Sequence, residues 1–216
     1  MFCISSMKDV DRFLGDVYSR RLADAGAAAR AEVRGPVALF LVREDGAGGS
    51  RLARQVVSSF AYWHTRTGHF FDALFLGWGF NGGPAFVPAS FSACVADLER
   101  ALDWSHRGGA DLLLTDFVYT PAERRGGVDF SRTVAIDISD LLEDRMIRRL
   151  GPFMDEVTAP SRLLREGNAE VGAAEYLALL GARRVLWKTL LEKMGTLRGW
   201  VDEVLPYATR DLRKRA

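Results

Sequence analysis

The chain has 216 residues, 48% of them apolar and 26% charged, and a net charge of +1. This is the balance of a folded globular protein long enough to bury a continuous core without disulfide or metal staples, and it excludes global disorder. Basic residues are 25 Arg and 4 Lys against 28 acidic residues, so no global field drives the chain toward nucleic acid. The longest apolar runs, Val37–Val42 and Phe70–Leu76, fall far short of the roughly 20 residues of a spanning helix, so no membrane role is expected. Met1-Phe2-Cys3-Ile4 lacks a basic region followed by an apolar core, and the only cysteines are Cys3 and Cys94. A cytoplasmic protein without a disulfide framework is expected.

Val10, Phe13, Leu14, Val17, Tyr18 and Leu22 recur at helical spacing, which predicts an amphipathic helix over residues 6–31, ended by Gly35-Pro36. Val37–Val42 is a continuous apolar run bounded by turn residues, the pattern of a central strand covered on both faces. A glycine-rich corner follows, Asp45-Gly46-Ala47-Gly48-Gly49-Ser50-Arg51. Ser50 is placed to cap a helix reaching Trp63, with Leu52, Val56, Val57, Phe60 and Trp63 on its core face.

Phe71 to Trp78 reads as a second strand, parallel to the first because a helix intervenes. Residues 79–90, with Gly82-Gly83-Pro84 and Pro88, read as a loop, and Ser90 to Trp104 as a helix with Phe91, Val95, Leu98 and Leu102 inward. Asp111–Tyr119 then reads as a strand. After a Pro-Ala-Glu-Arg-Arg-Gly-Gly connection, Val128–Ile138 reads as its antiparallel hairpin partner. Leu141–Met154 returns to helical spacing, and beyond Pro160 the pattern is helical, with Tyr176, Leu179, Leu180, Val185, Leu186, Leu190, Leu191 and Met194 at three- and four-residue intervals.

The expected organisation is an N-terminal helix (1–36), an α/β core with a small mixed sheet (37–158) and a C-terminal helical extension (159–216). From residue 37 the order is β-α-β-α-β-β-α, which resembles the thioredoxin-like fold over roughly residues 37–155. The resemblance is one of topology: the corner carries no cysteine pair, so redox activity is not implied.

No segment carries a strong catalytic signature. The corner offers backbone N–H groups at a helix start, with Gly46, Gly48, Gly49, Ser50 and Arg51 as candidate contacts for a small anion. It lacks the lysine of a P-loop and the third glycine of a dinucleotide fingerprint, and it reads first as an ordinary strand-to-helix loop. His64, His69 and His106 are the only histidines, and none lies in a zinc spacing; no metal or cofactor is expected. Asp72, Asp111, Asp116, Asp129 and Asp137 stand near strand ends, of which Asp116 and Asp137 interrupt apolar strands and are the candidate acid-base carboxylates. Ser105-His106 and Ser131-Arg132 lack a nucleophile-elbow context.

Two features suggest contact with a partner. Phe80 and Phe86 lie in the Gly-Pro loop, where burial is least assured, and Trp187 and Trp200 give the helical tail more apolar surface than docking on a small sheet requires. The expected function is a non-catalytic binding or assembly module with a protein partner or self-association. The alternative is a nucleotide- or phosphate-ligand protein using the Asp45–Arg51 corner.

Overall fold

A computed structural model of the chain describes residues 4–24, 32–44, 53, 72–79, 85–144 and 208–209. These residues form a mixed α/β fold: a five-stranded mixed sheet with a helix preceding it in the chain. The elements are α1 (Met7–Asp24), β1 (Val33–Val42), β2 (Asp72–Phe75), β3 (Trp78–Gly79), β4 (Ala85–Phe86), α2 (Pro88–Ala101), β5 (Ala110–Thr120), β6 (Arg125–Asp137), α3 (Ile138–Glu143) and β7 (Ala208–Thr209). The large sheet has the order β2-β1-β5-β6-β7, and β3 and β4 pair separately. No helix among the described residues is long and apolar enough to cross a membrane.

α1 begins with a reciprocal cap. Ser6 Oγ accepts from the Asp9 N–H, and the Asp9 carboxylate accepts from the Ser5 N–H and from both serine hydroxyls, satisfying donors that a helix start leaves without intrahelical partners. The Ser5 hydroxyl bond is the main reason the Asp9 carboxyl is held below its ordinary range. Val10, Leu14 and Tyr18, four apart, are buried against the sheet, and Asp11 Oδ1 accepts from the Val128 N–H of β6 at 2.9 Å. Burial raises the Asp11 carboxyl, against the opposing effects of that bond and of Arg125. Residues 25–31, the rest of the expected helix, lie outside the described residues.

β1 is the central strand, as its apolar run requires. It pairs parallel with β2 (Val37↔Asp72 to Phe40↔Phe75) and antiparallel with β5 (Val33↔Tyr119 to Val42↔Ala110). Val37, Leu39 and Leu41 face the cluster containing α1, α2, Leu113 and Phe117, while Ala38, Phe40 and Val42 point the other way and are also buried. Each of these Val, Leu and Phe side chains withdrawn from water contributes about 1.5–3 kcal/mol before chain entropy is counted.

The strand starts at Val33, so Gly35-Pro36 lies within it rather than between helix and strand. At Pro36 the pairing with β2 has not begun, and a residue lacking an N–H is tolerated where only one ladder is made. Gly35 is needed for packing, since any Cβ there would run into the Tyr18 hydroxyl. Burial pushes that phenol well above its ordinary pKa.

The expected second strand is shorter. It ends at Phe75 because Leu76-Gly77 turns the chain, Gly77 adopting φ +77°, and Trp78-Gly79 then pairs with Ala85-Phe86. The stretch read as a loop over 79–90 therefore holds a short strand pair and the start of α2, whose first turn accommodates Pro88 because a proline there removes no helical hydrogen bond. α2 ends at Ala101, so Trp104 lies beyond it.

The hairpin is present and longer than expected. β5 and β6 pair from Asp111↔Asp137 to Thr120↔Arg125, leaving only 121–124 for the turn, where Arg124 takes φ 49°. The register shifts between Leu114↔Val134 and Asp116↔Asp129, so that residues 130–133 face Thr115 alone. Side chains close this irregularity: Thr115 Oγ1 donates to the Asp129 carbonyl and Thr133 Oγ1 bonds to Thr115 Oγ1. α3 starts at Ile138, three residues before the expected helix. In the region read as helical, Ala208–Thr209 form a strand on the outer edge of β6.

Candidate functional site

The carboxyl ends of β1 and β2 share one end of the sheet because the two strands are parallel, the end at which open α/β sheets most often bind ligands. Aromatic rings collect there. The Trp78 indole N–H donates to the Val42 carbonyl at 2.8 Å, fixing β3 to the end of β1. Trp78 packs on Phe86 at 5.2 Å between ring centroids, Phe86 on Phe91 at 5.4 Å, and Phe91 meets His106 edge-on at 5.3 Å, with Trp104 6.1 Å from His106. These are the offset and edge-to-face separations that aromatic pairs favour.

His106 lies between the end of α2 and the start of β5. Its backbone N–H donates to Glu99 Oε1 at 3.0 Å, and Gly108, at φ +91°, turns the chain back toward β5. The turn brings His106 Nδ1 to 2.6 Å from Asp111 Oδ2, with the two side chains only 6% and 7% exposed. Asp111 is paired with Leu41 at the end of β1 and with Asp137 on β6. An ionised carboxylate can only accept, so the contact puts a proton on Nδ1 and, in the neutral ring, a lone pair on Nε2. Nε2 is buried and has no hydrogen-bond partner among the described residues. Such an atom costs about 1–3 kcal/mol if nothing answers it.

The other aspartates singled out in the sequence are scattered. Asp72 receives both Arg21 guanidinium N–H groups, at 2.7 and 2.9 Å, and Arg21 also lies over the Tyr18 ring. Asp129 accepts from Arg34 at 3.0 Å, and Asp137 caps α3 by accepting from the Asp140 N–H. Beside that cap, burial and the Asp137 charge raise the Asp140 carboxyl. Asp116 is 1% exposed. By register it faces the side of the sheet opposite to Asp137, so the two expected acid-base carboxylates do not share a site.

Phe86, a candidate contact residue, is partly buried between Trp78 and Phe91. Gly46, Gly48, Gly49, Ser50, Arg51, Phe80, Trp187 and Trp200 lie outside the described residues, as do His64 and His69. Ser105 is exposed while the neighbouring His106 ring is buried, so the two point apart. Cys94 is buried with Sγ 3.7 Å from the Ile4 carbonyl. Among the described residues no group of three or more His, Cys, Asp or Glu could hold a metal ion.

Sequence reasoning missed the His106–Asp111 pair. The available signal was a histidine after a helix and an aspartate opening a strand, separated by the two glycines 108 and 109 that let the chain reverse. Comparison of the chain with protein-family models, with curated proteins and with solved structures finds no match.

Proposed function

We propose that the protein is a cytoplasmic binding or assembly module built on a thioredoxin-like core without redox chemistry. The observation that carries the fold part of this reading is the joining of a parallel β1–β2 pair and an antiparallel β5–β6 hairpin through the central strand β1. The absence of a cysteine pair after β1 supports the non-redox part. The gathered rings at the carboxyl end of β1, of which Phe86 and Trp104 are partly exposed, support a binding role, since aromatic side chains supply contact area at low entropic cost. Native and denatured mass spectrometry of the full chain tests it. The expected result is a homo-oligomer or a defined protein complex; a bare monomer that turns over a small substrate overturns the reading.

The parallel pairing of β1 and β2 favours one second reading, a phosphate- or nucleotide-binding protein, because the chain leaves both strands at the same end and the glycine-rich corner follows β1 directly. In that case the native mass carries a small ligand that is lost in an Arg51→Ala, Gly48→Val variant.

A further inference from the structure

β6 is paired along one side and largely unpaired along the other. β5 runs beside it from Arg125 to Asp137, apart from the irregularity at 130–133, whereas on its outer side, among the described residues, β7 pairs only with Ala135 and Ile136. Gly126 and Gly127 are partly exposed, and since glycine has no side chain, solvent there meets the backbone itself. Such an edge is a template on which another strand can add. One group stands in the way: Asp11 of α1, whose Oδ1 accepts from the Val128 N–H at 2.9 Å and so takes a donor that an added strand would use. We propose that Asp11 locks the outer edge of β6 against pairing with the same edge of a second copy of this chain.

The sequence of the edge selects a second copy as the occupant. Antiparallel pairing of β6 with its twin about Gly127 is a closed, isologous contact. It sets the exposed Arg125 opposite Asp129 of the other copy on both sides of the centre, Gly126 opposite Val128, and Arg124 opposite Phe130. Opposite charges meet twice and like charges do not meet in this stretch, which favours a cross-strand pair. The lock sits at the centre of that arrangement. Outward-facing residues alternate along a strand, so Gly126 and Val128 would exchange ladder bonds, and the two Asp11 carboxylates withhold two of the central donors. Asp11 Oδ1 also lies only 3.9 Å from where a Cβ on Gly127 would stand, within the space a neighbouring strand at about 4.8 Å must enter. The inference does not rest on the assembly reading, since it concerns the difference between a locked and an unlocked edge whatever the mass of the wild-type particle.

The test compares the full wild-type chain with Asp11→Ala by sedimentation velocity at matched concentrations, with deuterium exchange of the β6 amides. The expected result is a concentration-dependent doubling of the particle mass in Asp11→Ala, accompanied by slower exchange at Gly126 and Val128 as the concentration rises. Adding Arg125→Glu, which sets like charges opposite each other at both ends of the pairing, returns the particle to the wild-type mass. A wild-type mass for Asp11→Ala, a heavier particle whose Gly126 and Val128 amides exchange no more slowly, or a doubling that survives Arg125→Glu overturns the proposal. Should circular dichroism show that Asp11→Ala does not fold, Asp11→Ser, polar but too short to reach Val128, takes its place with the same three readings.

Discussion

Two aspartates near strand ends, Asp72 beside Val37 and Asp111 beside Leu41 of β1, reach cationic or ionisable partners on the same face of the sheet, and they end differently. Asp72 takes two parallel N–H bonds from Arg21, whose guanidinium also rests on Tyr18, so the planar fork and the carboxylate leave little unmatched. Asp111 takes one bond from His106, and the far nitrogen of that ring is left without a partner among the described residues. The same residue type in the same kind of position completes a structural tie in one case and leaves an open valence in the other. The difference lies in the partner: arginine spends its donors on one carboxylate, whereas imidazole has two nitrogens on opposite edges and one carboxylate can satisfy only one.

The largest expected effect breaks the closed pair. Asp72→Ala leaves Arg21, 22% exposed, partly buried without its counter-charge, and the unfolding free energy is expected to fall by about 3 kcal/mol, at the lower end for a broken buried pair because the guanidinium can partly re-enter water. Urea unfolding measures this. A loss under about 1 kcal/mol would mean that the pair behaves as an ordinary surface salt bridge and that the comparison with Asp111 fails.

Next in size is a change that disturbs the open end and spares the closed one. Gly77 holds φ +77°, and a Cβ there would stand 2.7 Å from Phe91 Cα and 2.9 Å from its N, pressing on backbone that cannot step aside. Gly77→Ala is expected to cost about 2 kcal/mol or more through overpacking and the left-handed backbone. It should also alter the tryptophan fluorescence of the Trp78–Phe86–Phe91 cluster. A neutral Gly77→Ala would show that this turn is not fixed against α2.

Much of the sheet was legible in the sequence, for reasons that particular residues make plain. The run Val37–Val42 has no polar interruption, so a strand buried on both faces was its natural reading, and the two apolar stretches 111–119 and 128–138 around a glycine-rich turn marked a hairpin. The misread boundaries are places where a tertiary contact outweighed a local signal: Gly35-Pro36 looks like punctuation, yet the strand continues because Tyr18 needs the space a glycine leaves. The turn at Gly77 was concealed within an apolar run. The candidate site was much less legible, because pairing His106 with Asp111 depends on the φ of Gly108, and no hydrophobic period records a single backbone angle.

Asp111→Ala sharpens the comparison from the other side. The expected loss is about 1–2 kcal/mol, smaller than for Asp72→Ala because one hydrogen bond is lost rather than a bidentate ion pair. The more telling readout is the ring itself. Without the carboxylate, the proton is no longer held on Nδ1, and the 15N resonances of His106 should shift from the Nδ1–H form toward a mixture with the Nε2–H form. Unchanged resonances would mean that Asp111 does not set the tautomer.

The smallest effect calibrates both pairs against the surface. Burial alone would raise the Asp129 carboxyl, but the bonds from Ser131 and the Arg34 guanidinium outweigh it and hold the group below its ordinary range. A carboxyl depressed in the folded state contributes stability above the ordinary carboxylate pKa, near 3.8, and this contribution is lost as the pH falls through the folded value. Arg34 is 37% exposed and also pairs with Glu32, so Arg34→Met is expected to cost only about 0.5 kcal/mol near neutrality. Because the Ser131 N–H still donates to Asp129 at 3.0 Å, the acid-side loss of stability should shrink without disappearing. An effect as large as that of Asp72→Ala would show that exposure does not separate these pairs, and the contrast between a closed and an open carboxylate would then have to rest on the Nε2 atom alone.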